Sequence, residues 1–264
     1  MRNKIVFTAI LALLFFTSGF GQKSIVKLQI GYGIPLTNSL LANSTVTNSA
    51  GSSTFTGVYG SYGSGVCIEG GYIYRLNTHV SLELDGAYLI GKQINATYTS
   101  PNGSQTQSSA SHFYEVSPLL RLNLGGSKIK PYAAVGPVFG FGNIVSNYLS
   151  GGTNGSEVER QYRGSFAVGA KGAVGAEFTQ GRFIFYAQTT MITMNYAPSK
   201  SAYTKYSLGG VDQLINMTIS QKQTVYKRTV TTGGTQDPNQ PSEQLKFYSP
   251  LNSISLNVGV MFKF

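Results

Sequence analysis

The segment Ser24-Ile-Val-Lys-Leu-Gln-Ile-Gly-Tyr-Gly-Ile34 alternates from Val26 onward. Val26, Leu28, Ile30, Tyr32 and Ile34 take the even positions; Lys27, Gln29, Gly31 and Gly33 take the odd ones. Successive side chains of a β-strand point to opposite faces, so this strand has one apolar face and one that is polar or tiny. A strand placed between lipid and the inside of a closed barrel needs that division.

Seven further segments extend the pattern. Gly65–Leu76 sets Val66, Ile68, Tyr72 and Tyr74 against Cys67, Glu69, Gly71 and Arg75, and Val80–Ile90 sets Leu82, Leu84, Tyr88 and Ile90 against Ser81, Glu83, Asp85 and Ala87. His112–Leu124 sets Tyr114, Val116, Leu120 and Leu122 against Glu115, Ser117, Arg121 and Asn123. Gly164–Phe178 sets Phe166, Val168, Val174 and Phe178 against Gly169, Lys171, Gly175 and Glu177. The last segment sets Ile254, Leu256, Val258, Val260, Phe262 and Phe264 against Ser253, Ser255, Asn257, Gly259, Met261 and Lys263, and ends on Phe264. Ile129–Phe141 and Phe183–Tyr196 also read as strands, but they are apolar or small on both faces and their facing stays open.

Connection lengths alternate as regularly as the strands. Asn77-Thr78, Gly125–Lys128 and Thr179–Arg182 are tight links, whereas 35–64, 91–111, 143–163 and 197–252 are long. Short turns on one side and long loops on the other are the arrangement of an outer-membrane barrel with its long loops outside the cell. The expected fold is therefore all-β: an eight-stranded antiparallel up-and-down transmembrane barrel over residues 22–264. A soluble barrel would have to place Glu and Arg outside and fill its interior with Val, Leu and Tyr.

Ten strands are the alternative, because Leu214–Ser220 and Thr224–Thr232 resemble an additional hairpin. A mid-membrane Lys227 or Arg228 facing lipid would cost ~2–4 kcal/mol, so that hairpin is expected to stand above the membrane. Pro118 and Pro137 fall within strands, where each removes a ladder hydrogen bond and is expected to mark a bulge or register break.

Residues 1–21 have the layout of a signal peptide: basic Arg2 and Lys4, an apolar run Ile5–Phe16, then small residues before Gln22. An apolar run of ~12 is too short to span a bilayer as a helix, for which ~20 residues are needed. The composition of 32 Gly, 17 Tyr, 15 Phe and 11% charged residues suits lipid-facing strands rather than a water-soluble surface. The single cysteine, Cys67, allows no internal disulfide and reads as a small inward-facing hydrophobe. The net charge is +10, or +8 without Arg2 and Lys4. In an exported protein that balance points to anionic lipid or polysaccharide and not to nucleic acid.

The alternation places Glu69, Glu83, Asp85, Glu115 and Glu177 inside, with Lys27, Arg75, Arg121, Lys171 and Lys263. A lumen of eight strands is narrow enough to be filled by side chains, so these charges must pair. Arg75, Glu83 and Arg121 fall at similar heights, and with Asp85 they form the expected ion-pair network. Glu83 and Asp85 together could supply an acid and a base, but a filled lumen admits no substrate and favours a structural role. No His and Cys spacing suggests a metal site, and no cofactor is expected. Gly169–Gly175 lacks the Gly-Lys-Ser/Thr ending of a phosphate loop.

The signal segment, the eight alternating stretches, the glycine-rich Gly136-Pro-Val-Phe-Gly-Phe-Gly142 and the ending Gly259-Val-Met-Phe-Lys-Phe264 together resemble the small outer-membrane barrels of the OmpA and OmpX type, in the form common in Bacteroidetes. The resemblance implies residence in the outer membrane of a Gram-negative-type bacterium after signal-peptide-dependent export. It implies handling by periplasmic chaperones and the barrel-assembly machinery, with Phe264 as the assembly signal. It does not extend to the peptidoglycan-binding domain of OmpA itself.

Fold alone does not select a function. The leading expectation is a non-enzymatic surface-binding, adhesive or envelope-stabilising protein. Its loop cations, chiefly Arg160, Arg163, Lys200, Lys205, Lys227 and Arg228, would meet lipopolysaccharide or an external ligand. A narrow pore is the second reading. A lipid hydrolase is the third, with His112 beside Ser109, Ser111 and Glu115 as its base.

Overall fold

The computed structural model describes residues 24–101, 103–126, 128–151, 155–231 and 236–264. The segment read as a signal peptide lies outside them. Eight strands form the barrel: β1 (Ser24–Pro35), β2 (Gly65–Arg75), β3 (Val80–Gly91), β4 (Gly103–Asn123), β5 (Ile129–Ser150), β6 (Phe166–Gln180), β7 (Phe183–Tyr196) and β8 (Ser253–Lys263). Each pairs antiparallel with its neighbours in the chain. The ring closes through β1 and β8, in a register running from Ile25 opposite Lys263 to Pro35 opposite Ser253.

The barrel is inside out relative to a soluble protein. Leu28, Ile30, Leu84, Leu120, Val174 and Leu256 are exposed on its outer surface, while Lys27, Glu69, Glu83, Asp85, Arg121 and Lys171 are buried. Exposed leucine beside buried lysine is stable only where hydrocarbon surrounds the wall, and a closed barrel is the only β-structure that leaves no backbone edge in that hydrocarbon.

The structure also resolves the two strands whose facing the sequence left open. On β5, Tyr132, Ala134 and Val138 are buried and Val135, Phe139 and Phe141 exposed; on β7, Ile184, Tyr186, Gln188, Thr190 and Ile192 are buried and Phe183, Phe185 and Met191 exposed. Bulky Ile and Tyr inside explain why these strands showed no polar face: this side of the lumen is filled with apolar rings and chains.

The prolines produce no register shift. Val116 pairs with Phe139 and Leu120 with Val135, so the register is the same above and below the prolines and Pro118 stands opposite Pro137. Pairing lapses only between those positions, while β3 to β4 and β5 to β6 stay continuous through Leu84–Pro118 and Pro137–Ala170. The expected bulge is avoided because both residues without an N–H meet at one point of a single ladder.

β4 and β5 run on together to Gln105 opposite Ser150, well past the rim near His112 and Asn143. At ~3.3 Å per residue, this extension projects roughly 25 Å. It seeds a sheet built from the segments read as long loops. On one side Ile94–Ser100 joins β4, Ser39–Thr47 joins that strand in parallel, and Ser53–Gly60 completes the wing. On the other side Ser156–Arg163 joins β5, then follow Lys200–Leu208, Gln223–Lys227 and, in parallel, Ser242–Leu245. These strands form a hood above the barrel.

The additional hairpin does not form, and with it the ten-stranded alternative falls. Leu214–Asn216 is a 3-10 turn, and Ile219–Lys222 is a single helical turn started by a capping box between Thr218 and Gln221. Of Thr224–Thr232, whose last residue lies outside the described residues, only Thr224–Lys227 belongs to a strand, Gln223–Lys227, and that strand pairs in the hood. β7 meanwhile pairs directly with β8 from Phe183–Phe262 to Ile192–Ser253, leaving no opening in the ring.

Candidate functional sites in the lumen, mouth and hood

In the middle of the lumen Lys27 and Lys171 share two carboxylates. Lys27 Nζ lies 2.9 Å from Glu69 Oε1 and 2.8 Å from Asp85 Oδ1, and Lys171 Nζ lies 2.6 Å from Glu69 Oε2 and 3.0 Å from Asp85 Oδ2. The four groups form a square of alternating sign. Glu69 Oε1 and Asp85 Oδ1 meet Lys27 as ionic contacts without directed hydrogen bonds.

Lys27 also pairs with Glu83, Glu83 Oε2 accepts from Arg121 Nη1 at 3.2 Å, and Arg121 continues to Glu177. The Arg121 guanidinium sits 3.5 Å from the Tyr132 ring centroid, a cation–π contact in a site without water access. Gly71 makes room for the square: a Cβ there would fall 2.4 Å from Asp85 Oδ1 and 2.8 Å from Lys27 Cε.

Of the four residues expected to form this network, Glu83, Asp85 and Arg121 belong to it and Arg75 does not. Arg75 is the last residue of β2, half-buried at the short-turn mouth. Its long stem allows the guanidinium to reach water instead of paying for burial. Lys263, near the end of β8, is placed likewise. Among the described residues, the buried set is therefore five acids (Glu69, Glu83, Asp85, Glu115 and Glu177) against three cations (Lys27, Arg121 and Lys171), not a matched ten. Strand alternation identifies the inward face but cannot tell depth, which is why the equal count misled.

Above the ionic tier, Leu89, Phe113, Val138, Ile144, Ile192, Met194, Tyr196 and Leu251 pack into an apolar plug, with Phe113 edge-on to Tyr196 at 4.9 Å. The sequence carried no sign of this plug, because these residues come from five separate segments.

At the hood, the six candidate cations part company. Lys205 pairs with Glu157 at 2.7 Å and Lys227 with Glu243, all of them about half exposed. Arg160 turns to the inner face: Nε donates to Ser201 Oγ at 3.0 Å and Nη2 to Thr224 Oγ1 at 2.7 Å, with the Tyr162 and Tyr203 rings 5.4 and 5.1 Å away. Burial pushes the Tyr162 phenol above its ordinary range, so it stays neutral beside Arg160. Arg163, Lys200 and Arg228 are exposed and carry no ion pair among the described residues. Arg163 stands directly opposite Lys200 at the base of the hood, and Lys200 opposite Val225, two residues before Lys227.

The hydrolase constellation does not assemble. His112 lies on the outward face, with Nδ1 3.2 Å from Tyr88 Oη, in an aromatic strip with Tyr88, Tyr114 and Phe141. Ser109, Ser111 and Glu115 are buried on the opposite face of the same strand. Ser109 Oγ lies 2.8 Å from Ser146 Oγ, and Ser111 donates to the Tyr62 carbonyl at 2.5 Å. Phe264 packs edge-on against Phe262, which in turn meets Phe183, at the short-turn end.

A closed ring of eight antiparallel strands with an apolar exterior and an ionic interior defines the class: a small β-barrel of the outer-membrane type. Solved structures with a similar outline include the Neisserial surface protein A, with a TM-score of 0.40 at 12% identity over 92% of this chain and 97% of that one. Others are Ail, the attachment invasion locus protein of Yersinia pestis (0.33 and 10%, covering 92% and 99%), and the outer membrane protease OmpT from Escherichia coli (0.26 and 9%, covering 93% and 98%). No family model and no curated protein matches the chain.

Proposed function

We propose that this chain is a non-enzymatic protein of the bacterial outer membrane, exported by a signal peptide, whose hood stands outside the cell and contacts anionic lipopolysaccharide. The observation that carries this reading is the basic rim at the base of the hood. Arg163 and Lys200 face each other, Arg228 is exposed nearby, and the Lys246 backbone joins Lys227 at 2.9 Å, while Glu243 is the acid that engages this group.

Cations beside an apolar belt meet phosphate groups at the height where lipid head groups sit, each contributing ~1 kcal/mol near a charged surface. The exposed Tyr248 and Leu245 add apolar area at the same level. Assembly machinery and chaperones are the partners such a barrel needs to reach the membrane, and Phe264 is our candidate for the residue they read. Neither a cofactor nor nucleic acid has a place in this reading.

Replacing Arg163, Lys200 and Arg228 together by Gln should weaken binding of purified lipopolysaccharide to the refolded protein at least tenfold at low salt. Unchanged binding would show that the rim is merely solvated.

A further inference from the structure

The short-turn end of the barrel holds a bowl of about 430 Å³ that the surface-binding reading does not use. Arg75, His79, Asn123, Lys130 and Glu177 line it, together with the links Asn77-Thr78 and Gly125-Gly126. The register fixes which way its charges point. Arg75 shares the inward face of β2 with buried Glu69 and Ile73, Lys130 that of β5 with buried Tyr132, and Lys263 that of β8 with buried Asn257 and Met261. Three cations thus converge on the mouth from three strands.

The acid in reach is Glu177, already held by Arg121 and 3% exposed. Like charges gathered without a counter-charge repel one another, and an anion entering the bowl relieves that repulsion.

The bowl is blind. Ile25, Ile73, Ile184 and Met261 pack beside it, the ionic tier fills the lumen beyond, and the Phe113 plug closes the far end. A basic vestibule in front of a conduit would steer ions through; in front of a sealed lumen it is a place to bind.

The spacing also selects the ligand. β2 and β8 flank β1, so Arg75 and Lys263 lie within two strand spacings, ~10 Å, of each other. β5 is the fifth strand of eight counted from β1, which puts Lys130 across the bore. Three cations spread around one rim carry more positive charge than a single carboxylate neutralises, and match a short chain with several carboxylates.

We infer that this bowl is a binding site for a short carboxylate-rich peptide segment, entering from the side opposite the hood. Tetraglutamate is a suitable probe, titrated by calorimetry into the full refolded barrel in detergent. It should bind saturably at low salt and weaken as salt rises, while tetraglutamine shows no saturable binding. Arg75→Gln and Lys130→Gln should each reduce affinity several-fold, and together at least tenfold. Lys128→Gln, at an exposed cation in the neighbouring turn but outside the bowl, should leave it unchanged. Circular dichroism of each variant checks that the barrel has formed, and the partly exposed single variants keep the test open if the double variant fails to fold. Absence of saturable binding, equal binding of tetraglutamine, or equal loss in Lys128→Gln would overturn the assignment.

Discussion

Lys27 shows how a single position ties pattern to packing. In the sequence it is a polar residue between Val26 and Leu28; in the barrel its ammonium touches Glu69, Glu83 and Asp85 with no solvent exposure of the side chain. Removing one partner of a buried ionic cluster costs more than the pair contributes net, because the charges left behind stay desolvated. Lys27→Met should therefore destabilise the barrel by about 3–5 kcal/mol, read from urea unfolding in a lipid bilayer. A loss under 1 kcal/mol would mean that water already screens the square. Gly71 belongs to the same site, and its only trace in the sequence is a Gly-Gly pair within a strand. Such a pair signals a close approach without saying what approaches.

Strands are set by their alternation, but β4 and β5 carry a weakness that alternation does not show. Pro118 and Pro137 are opposite each other and pairing lapses around them. An apolar hollow lined by Tyr72, Tyr74, Leu82, Pro118, Leu120 and Pro137 faces lipid at this point. Amides within two residues of either proline should exchange with deuterium faster than those at matching depth in β1 and β8, as measured by NMR in detergent. Equal protection would show that the neighbouring ladders compensate in full. The hood strands teach the complementary lesson. Ser39–Thr47 and Ile94–Ser100 are Ser-, Thr- and Asn-rich and read as loops, because water on one side and modest contacts on the other leave little hydrophobic pattern. Ile94–Ser100 becomes a strand because the projecting edge of β4 offers it hydrogen-bond partners, and Ser39–Thr47 because that new edge and Ser53–Gly60 offer them in turn.

Taken together, the elements make a cylinder sealed by two different means. The ionic tier and the apolar plug occupy successive heights, so ions crossing the lumen would have to break Lys27–Glu83 and displace Phe113. The refolded protein in a planar bilayer should accordingly show little or no stepwise conductance. Well-resolved steps of uniform size would contradict a filled lumen. The charge is also divided along the axis: the mid-lumen carries more buried acid than base, and the short-turn mouth carries Arg75, Lys130 and Lys263. That division is a property of the assembled barrel and of no single strand.

The amino-acid sequence on its own determined the strand number, the inward and outward faces of six strands, and the alternation of short and long connections. Each of these follows from a period-two pattern that water and hydrocarbon impose locally. It determined that Glu83, Asp85 and Arg121 point inward, but not that Lys27, Glu69 and Lys171 complete their network while Arg75 stays at the mouth. Depth within a lumen depends on how far each strand is staggered against the next. That stagger is set by closure of the ring. Tertiary structure alone decided the plug and the hood, because each depends on contacts between segments far apart in the chain; the separation of His112 from Ser109 and Glu115 follows from the alternation of a single strand.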